Sequence, residues 1–124
     1  MRYVDPINLH DLWPEVREGL SKVRIKSHGD WIPEDIYAAI RAGHSNLYLV
    51  DEGFVVITPR KDFDGITLFV WIAYGLGEVF DKYLPHMEEM GRAIGAKRIR
   101  FESSRNGWSK RFKYVTSIYE KEIP

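Results

Sequence analysis

Ile66–Ser104 restricts the fold of this chain more than any other stretch. Ile66-Thr67-Leu68-Phe69-Val70-Trp71-Ile72 is an almost unbroken apolar run, β-branched and aromatic, with the length of a buried strand. Tyr74-Gly75-Leu76-Gly77 turns the chain, Glu78–Ile94 carries a helical pattern closed by Gly95, and Lys97–Ser103 reads as a second strand. A buried strand ending in glycines at the mouth of a helix is a common way to present backbone N–H groups to a phosphate.

The rest of the chain supplies partners for this unit. Arg2-Tyr3-Val4 reads as a short first strand, stopped by Asp5-Pro6. Leu9, Leu12, Trp13, Val16, Leu20 and Val23 fall on one stripe of a helix. Pro14 is tolerated in a first turn, so the spacing predicts a regular helix from about Leu12 or Trp13. A loop at Ser27–Asp30 leads to a second helix, which starts at Ile32-Pro33-Glu34-Asp35, buries Ile36, Tyr37 and Ile40, and ends at Gly43. The period then changes. Asn46–Val50 and Phe54–Thr58 flank Asp51-Glu52-Gly53, a hairpin signal, and Pro59–Gly65 reads as an exposed polar loop. Beyond the central unit, Trp108–Phe112 reads as a short helix and Val115–Glu122 as a last strand. Asn106-Gly107 is also a hairpin turn signal, so a short helix and a hairpin both remain open there. The order β-α-α-β-β-β-α-β-α-β predicts an α/β (α+β) domain: a mixed, mainly antiparallel sheet with helices on both faces.

A length of 124 residues fits a single domain, residues 1–124, with enough chain for a hydrophobic core. With no cysteine there is no disulfide framework, thiolate metal site or cysteine nucleophile. His10, His28, His44 and His86 form no metal-ligand spacing, so no metal is expected; His28 and His44 fall in loops beside the N-terminal helices. No apolar run approaches the ~18–20 residues that span a bilayer, and the N-terminus lacks the apolar core of a signal peptide. A cytoplasmic protein with no membrane partner is expected. Charge is uneven: residues 1–91 carry 9 Lys and Arg against 15 Asp and Glu, and residues 92–113 carry 8 against 1. The basic block predicts an anionic partner, either a phosphorylated cofactor or nucleic acid. Trp108-Ser109-Lys110-Arg111-Phe112 interleaves aromatics with cations, as single-strand binders do, but zero net charge favours the cofactor.

The order of elements and Ile72-Ala73-Tyr74-Gly75-Leu76-Gly77 resemble the GCN5-related N-acetyltransferase (GNAT) family over nearly the whole chain. The family signature is Arg/Gln-x-x-Gly-x-Gly/Ala between the fourth strand and the next helix; both glycines match, and Ile72 stands at the first position. Gly95-Ala96 matches the Gly-Ala before the family's fifth strand, and Asn106 matches an Asn that starts its short helix. Arg105-Asn106-Gly107-Trp108 is also similar to a segment of small GNAT-like proteins encoded by bacteriophages. The resemblance implies an acetyl-CoA-dependent N-acyltransferase acting on an amine, or a GNAT-like binding or accessory protein without catalysis. It implies cofactor contacts along Val70, Trp71, Ile72, Ala73, Tyr74, Gly75, Leu76 and Gly77, with Asn106 beside them. The pantetheine arm would pair with the backbone at about Val70–Ile72, and Gly75 and Gly77 would let the backbone approach the pyrophosphate. Tyr114 is nearest the place of the family's tyrosine acid, and its plainer role is to anchor the last strand. Pro85 inside the helix predicts a restart there, leaving only a short turn at the glycines.

Overall fold

A computed structural model describes residues 1–27, 29–103, 112–116 and 119–124. Five strands run β1 (Arg2–Val4), β2 (Asn46–Val50), β3 (Gly53–Asp62), β4 (Gly65–Tyr74) and β5 (Ala96–Phe101). They lie side by side in sequence order. β1 to β4 pair antiparallel, and β4 pairs parallel with β5. The connection between those two is α3 (Phe80–Ala93), as a parallel pair requires. α1 (Leu9–Ser27) and α2 (Pro33–Arg41) complete the fold. The expected mixed, mainly antiparallel sheet is the observed one.

Alternation along the strands divides the core in two. Val4, Leu47, Phe54, Val56 and Ile72 face Leu9, Val16 and Leu20 of α1 and Ile36 and Ile40 of α2. Val55, Ile57, Leu68 and Val70 face Phe80, Tyr83 and Met87 of α3. Helices therefore cover both faces, and the two-residue period of the strands decides which side chain joins which half.

Three expectations are corrected. α1 starts at Leu9 rather than at Leu12 or Trp13, with Pro14 inside it. A 3-10 turn at Pro6–Asn8, whose Ile7 N–H donates to the Asp5 carboxylate at 3.0 Å, leads directly into the helix. The Pro14 ring sits on the exposed face. α3 likewise runs unbroken through the exposed Pro85 and does not restart there. Finally, Pro59–Gly65 is not a loop: β3 continues to Asp62 and β4 begins at Gly65. β2 stops pairing at Ile57, so Pro59 lies where β3 has β4 alone as its described neighbour. Proline lacks a donor and is tolerated on a strand flank of that kind.

Residues 112–116 and 119–124 carry no helix or strand, so the last strand read at Val115–Glu122 is not formed among the described residues. Arg105–Arg111, including Asn106 and Trp108, and His28 lie outside the described residues. The choice between a short helix and a hairpin at Asn106-Gly107 falls there too. No helix among the described residues is long and apolar enough to cross a membrane.

Candidate cofactor cleft

β4 separates from β5 partway along its length. Their register runs to Val70↔Phe101 and stops, while β4 continues to Tyr74 beside β3. The separation coincides with a bulge. Ile57 pairs with Val70 and Val56 with Ile72, so Trp71 is an extra residue on β4. A bulge re-aims the side chains that follow it. Leu68 and Val70 point to the α3 half of the core, whereas Trp71 and Ile72 both join the α1 and α2 half. From Trp71 to Tyr74 the β5 side of β4 thus has no strand partner among the described residues. This stretch begins one residue and ends two residues further along than the expected Val70–Ile72 contact.

The glycine turn follows at once, and its two glycines do different work. Gly75 has φ +80°, and a Cβ there would lie 2.1 Å from the Glu52 carbonyl oxygen. Gly53 answers it, since its Cβ would lie 1.9 Å from the Tyr74 carbonyl oxygen. The end of β4 is therefore pressed against the β2–β3 turn, backbone to backbone. Gly75 serves that contact. Gly77 is the open one: its φ is +46°, and nothing lies within 4 Å of a Cβ built on it. A 3-10 turn at Gly77–Val79 leads into α3. Val79 N–H donates to the Leu76 carbonyl at 2.8 Å and Phe80 N–H to that of Gly77. The N–H groups of Gly77 and Glu78 have no acceptor within the turn, as at any helix start.

The surroundings are apolar on the α3 side. Leu76 and Phe80 are buried on either side of the turn and fix its ends. The Phe80 ring lies 5.4 Å from that of Phe101, and Phe112 packs edge-on against Phe101 at 4.8 Å. On the other side, the Tyr74 ring packs at 5.2 Å on Phe54 beneath Gly19 of α1. Glu78 and Asp81 place acids in the first turns of the helical segment, which complements the helix dipole and weakens its pull on an anion.

The expected site residues thus separate into groups. Trp71–Gly77 form one continuous edge. Val70 is the last paired residue below it. The Ile72 side chain, 3% exposed, is spent on the core. Tyr114 is 74% exposed on a segment without regular structure among the described residues, so it anchors no strand there. Asn106 lies outside the described residues. β4 carries no carboxylate or imidazole, and its Thr67 is engaged at the far end with Asp62 and Arg98. The described groups of three or more His, Cys, Asp or Glu include no arrangement fit for a metal.

Three cations of the basic block are paired among the described residues. Arg98 binds Asp64 and lies 3.5 Å from Asp62, Arg100 reaches Asp62 at 4.0 Å, and Arg92 pairs with Glu89 at 2.6 Å. Arg98 holds the Asp64 carboxyl below its usual range, first by hydrogen bonding. Sequence reasoning missed a second cluster, at the cleft. Glu52 accepts hydrogen bonds from the Tyr83 hydroxyl and, at 3.1 Å, from Lys82. The partners lie about thirty residues apart in the chain, so no local pattern announced them.

No protein-family model and no curated protein matches the sequence. The fold does match solved structures. One is a protein described as a probable acetyltransferase, with a TM-score of 0.61 at 20% identity over 98% of this chain and 100% of that one. Another is an aminoglycoside acetyltransferase from an uncultured soil metagenomic sample, with a TM-score of 0.60 at 10% identity over 99% and 95%. A third is the aminoglycoside N-acetyltransferase AAC(6')-Iy in complex with CoA, with a TM-score of 0.53 at 15% identity over 98% of both chains. The chain has the GNAT-type fold of these acetyltransferases.

Proposed function

We propose that this protein is an acetyl-CoA-dependent N-acyltransferase acting on an amine. The observation that carries the reading is the parting of β4 from β5 at the Trp71 bulge, immediately before a glycine turn that is open at Gly77. The residues present fit the group. The unpaired edge of Trp71–Tyr74 offers backbone donors and acceptors to an amide-bearing arm, as an added strand would. The open side of Gly77 leaves room for a pyrophosphate at the N–H groups of Gly77 and Glu78. Phe80, Phe101 and Phe112 form an apolar wall beside that arm. The fold is shared with an acetyltransferase in complex with CoA.

Acetyl-CoA bound there supplies an activated thioester. Transfer forms a C–N bond to the amine and breaks the C–S bond, and the amine loses a proton as the thiolate gains one. The chain contributes placement and backbone hydrogen bonds to the developing oxyanion. No acid or imidazole on β4 is available to take the amine proton. The reading therefore expects an acceptor that enters already neutral and, after attack, gives its proton to solvent water, with Tyr114 as the proton donor to the leaving thiolate. A cytoplasmic setting is compatible with this chemistry.

Calorimetry with CoA and acetyl-CoA is the direct test. Saturable binding is expected, and no heat at millimolar cofactor would sink the reading. Tyr114→Phe should lower kcat while leaving acetyl-CoA affinity unchanged. A second reading, a binding or accessory protein without catalysis, is favoured by the absence of a carboxylate or imidazole on β4 at the cleft. It predicts CoA binding without release of free thiol across a panel of amines.

A further inference from the structure

We propose that Glu52 is a positioning residue for the cofactor turn, holding the start of α3 so that Gly77 and Glu78 face a pyrophosphate. The inference rests on the acetyl-CoA reading of that turn. Glu52 belongs to the β2–β3 turn, and both of its carboxylate oxygens reach α3: one accepts from the Tyr83 hydroxyl, the other from Lys82 at 3.1 Å. Tyr83 is buried at 6% exposure in the α3 half of the core, and the Lys82 ammonium also lies over its ring, 5.1 Å from the centroid. The main chain of the same residue meets Gly75, where a Cβ would be 2.1 Å from the Glu52 carbonyl oxygen. One residue thus touches both ends of the segment that carries the open glycine: the end of β4 by its backbone, the first turns of α3 by its side chain.

Between these ends lies an exposed stretch. Leu76 and Phe80 are buried, but Gly77, Glu78 and Val79 are exposed, and Gly77 has open space on its Cβ side. A site whose donors are to meet a phosphate needs them fixed by a supporting group that does not itself touch the ligand. The Tyr83 hydroxyl, and then Lys82, keep the Glu52 carboxyl below its usual range, so it is an anion at neutral pH. Lys82 and Tyr83 are the charged and titratable groups that face it from α3. The other charged cluster, around Asp62, Asp64, Arg98 and Arg100, lies at the opposite end of β4.

The test compares Glu52→Ala, Glu52→Gln and Asp64→Ala with the wild type, all as the full chain. Amide exchange at Gly77 and Glu78 without ligand reads the clamp directly. It should quicken in Glu52→Ala, much less in Glu52→Gln, which can still accept from Tyr83, and not in Asp64→Ala. CoA calorimetry reads the consequence: Glu52→Ala should bind about 10-fold more weakly, the low end of the roughly 10- to 100-fold that loss of a supporting outer partner costs at metal sites. In turnover, KM for acetyl-CoA should rise with kcat nearly unchanged. Unchanged exchange at Gly77 and Glu78 in Glu52→Ala would overturn the inference, as would equal losses of CoA affinity in Glu52→Ala and Asp64→Ala. If exchange responds but the wild type binds no CoA, the acetyl-CoA reading fails while the clamp stands as a structural tie, and the positioning role is lost with it.

Discussion

Val70 and Phe101 form the last pair between β4 and β5, and the Phe101 ring rests 5.4 Å from Phe80, the first residue of α3. The fork between the strands thus has an aromatic wedge at its root. Phe80 is 5% exposed and packs with Val70, Leu76 and Tyr83. Phe80→Ala should cost about 3–5 kcal/mol, as for other core aromatics, and Phe80→Leu clearly less. Urea denaturation checks both. If the wedge also walls the cleft, Phe80→Leu, which stays folded, should weaken CoA binding by more than its loss of stability explains.

The two glycines of the signature should respond oppositely. Gly75→Ala drives a Cβ to 2.1 Å from a backbone oxygen at φ +80°. Neither side can yield, so the variant should lose on the order of 3 kcal/mol or fail to fold. Gly77→Asn keeps a residue that tolerates the left-handed region and meets nothing within 4 Å. It should remain within about 1 kcal/mol of wild type, yet fill the space left for a pyrophosphate. Thermal melts and CoA titrations of the two variants separate the glycine that closes the fold from the one that opens the site.

Glu78 gives an independent check on where the phosphates of the proposed cofactor would sit. It follows the open glycine and is exposed. Glu78→Gln removes an anion beside the expected pyrophosphate and should tighten CoA binding by about 2- to 5-fold at low salt, with the gain shrinking as salt rises. Calorimetry at two ionic strengths measures this. An unchanged affinity at low salt would move the phosphates away from this turn.

Much of this arrangement is legible in the sequence, and the exceptions share a cause. Ile66–Ile72, the glycines and the stripe of α1 announce themselves because burial requires apolar residues at a fixed period. Asp62 and Lys61 were hidden because a strand flank with one neighbour tolerates polar residues and Pro59. The Trp71 bulge was hidden because Trp71 and Ile72 are both apolar, so a slip of one residue leaves no mark on the pattern. Pro14 and Pro85 argued for shorter helices, but each ring falls on an exposed face and tertiary packing holds the helix through it. Glu52 read only as a turn residue, because its partners are set by how α3 packs and not by local spacing.

The ion pairs predict an acid-side loss of stability. Arg17 lowers the carboxyl of Glu34, Tyr83 and then Lys82 that of Glu52, Arg98 that of Asp64, and Arg92 that of Glu89. A carboxyl held lower in the folded state stabilises fully above its unfolded value and is lost as pH falls through the folded one. Stability should therefore hold down to about pH 5 and fall progressively below it. Lys82 and Tyr83 are both held above their ordinary values, so their contribution is complete below those values and is lost as pH rises through the folded ones. Denaturation midpoints across pH test both limbs, and Glu52→Gln should flatten each in part.

Ile72 stands where the GNAT signature has Arg or Gln, and the structure turns that departure into a prediction. After the Trp71 bulge the side chain points into the core beneath α1 and α2, with Val56 opposite it on β3. Restoring the signature by Ile72→Arg would place an unpaired cation among Phe54, Val16 and Leu20 and should cost more than about 3 kcal/mol. Ile72→Val removes one methylene and should cost about 0.5–1.5 kcal/mol. The backbone of residue 72, not its side chain, lies along the open edge of β4. Ile72→Val should therefore bind CoA as the wild type does. A drop in affinity without a matching drop in stability would put the side chain itself in the cleft and reverse the assignment of faces on which the site is built.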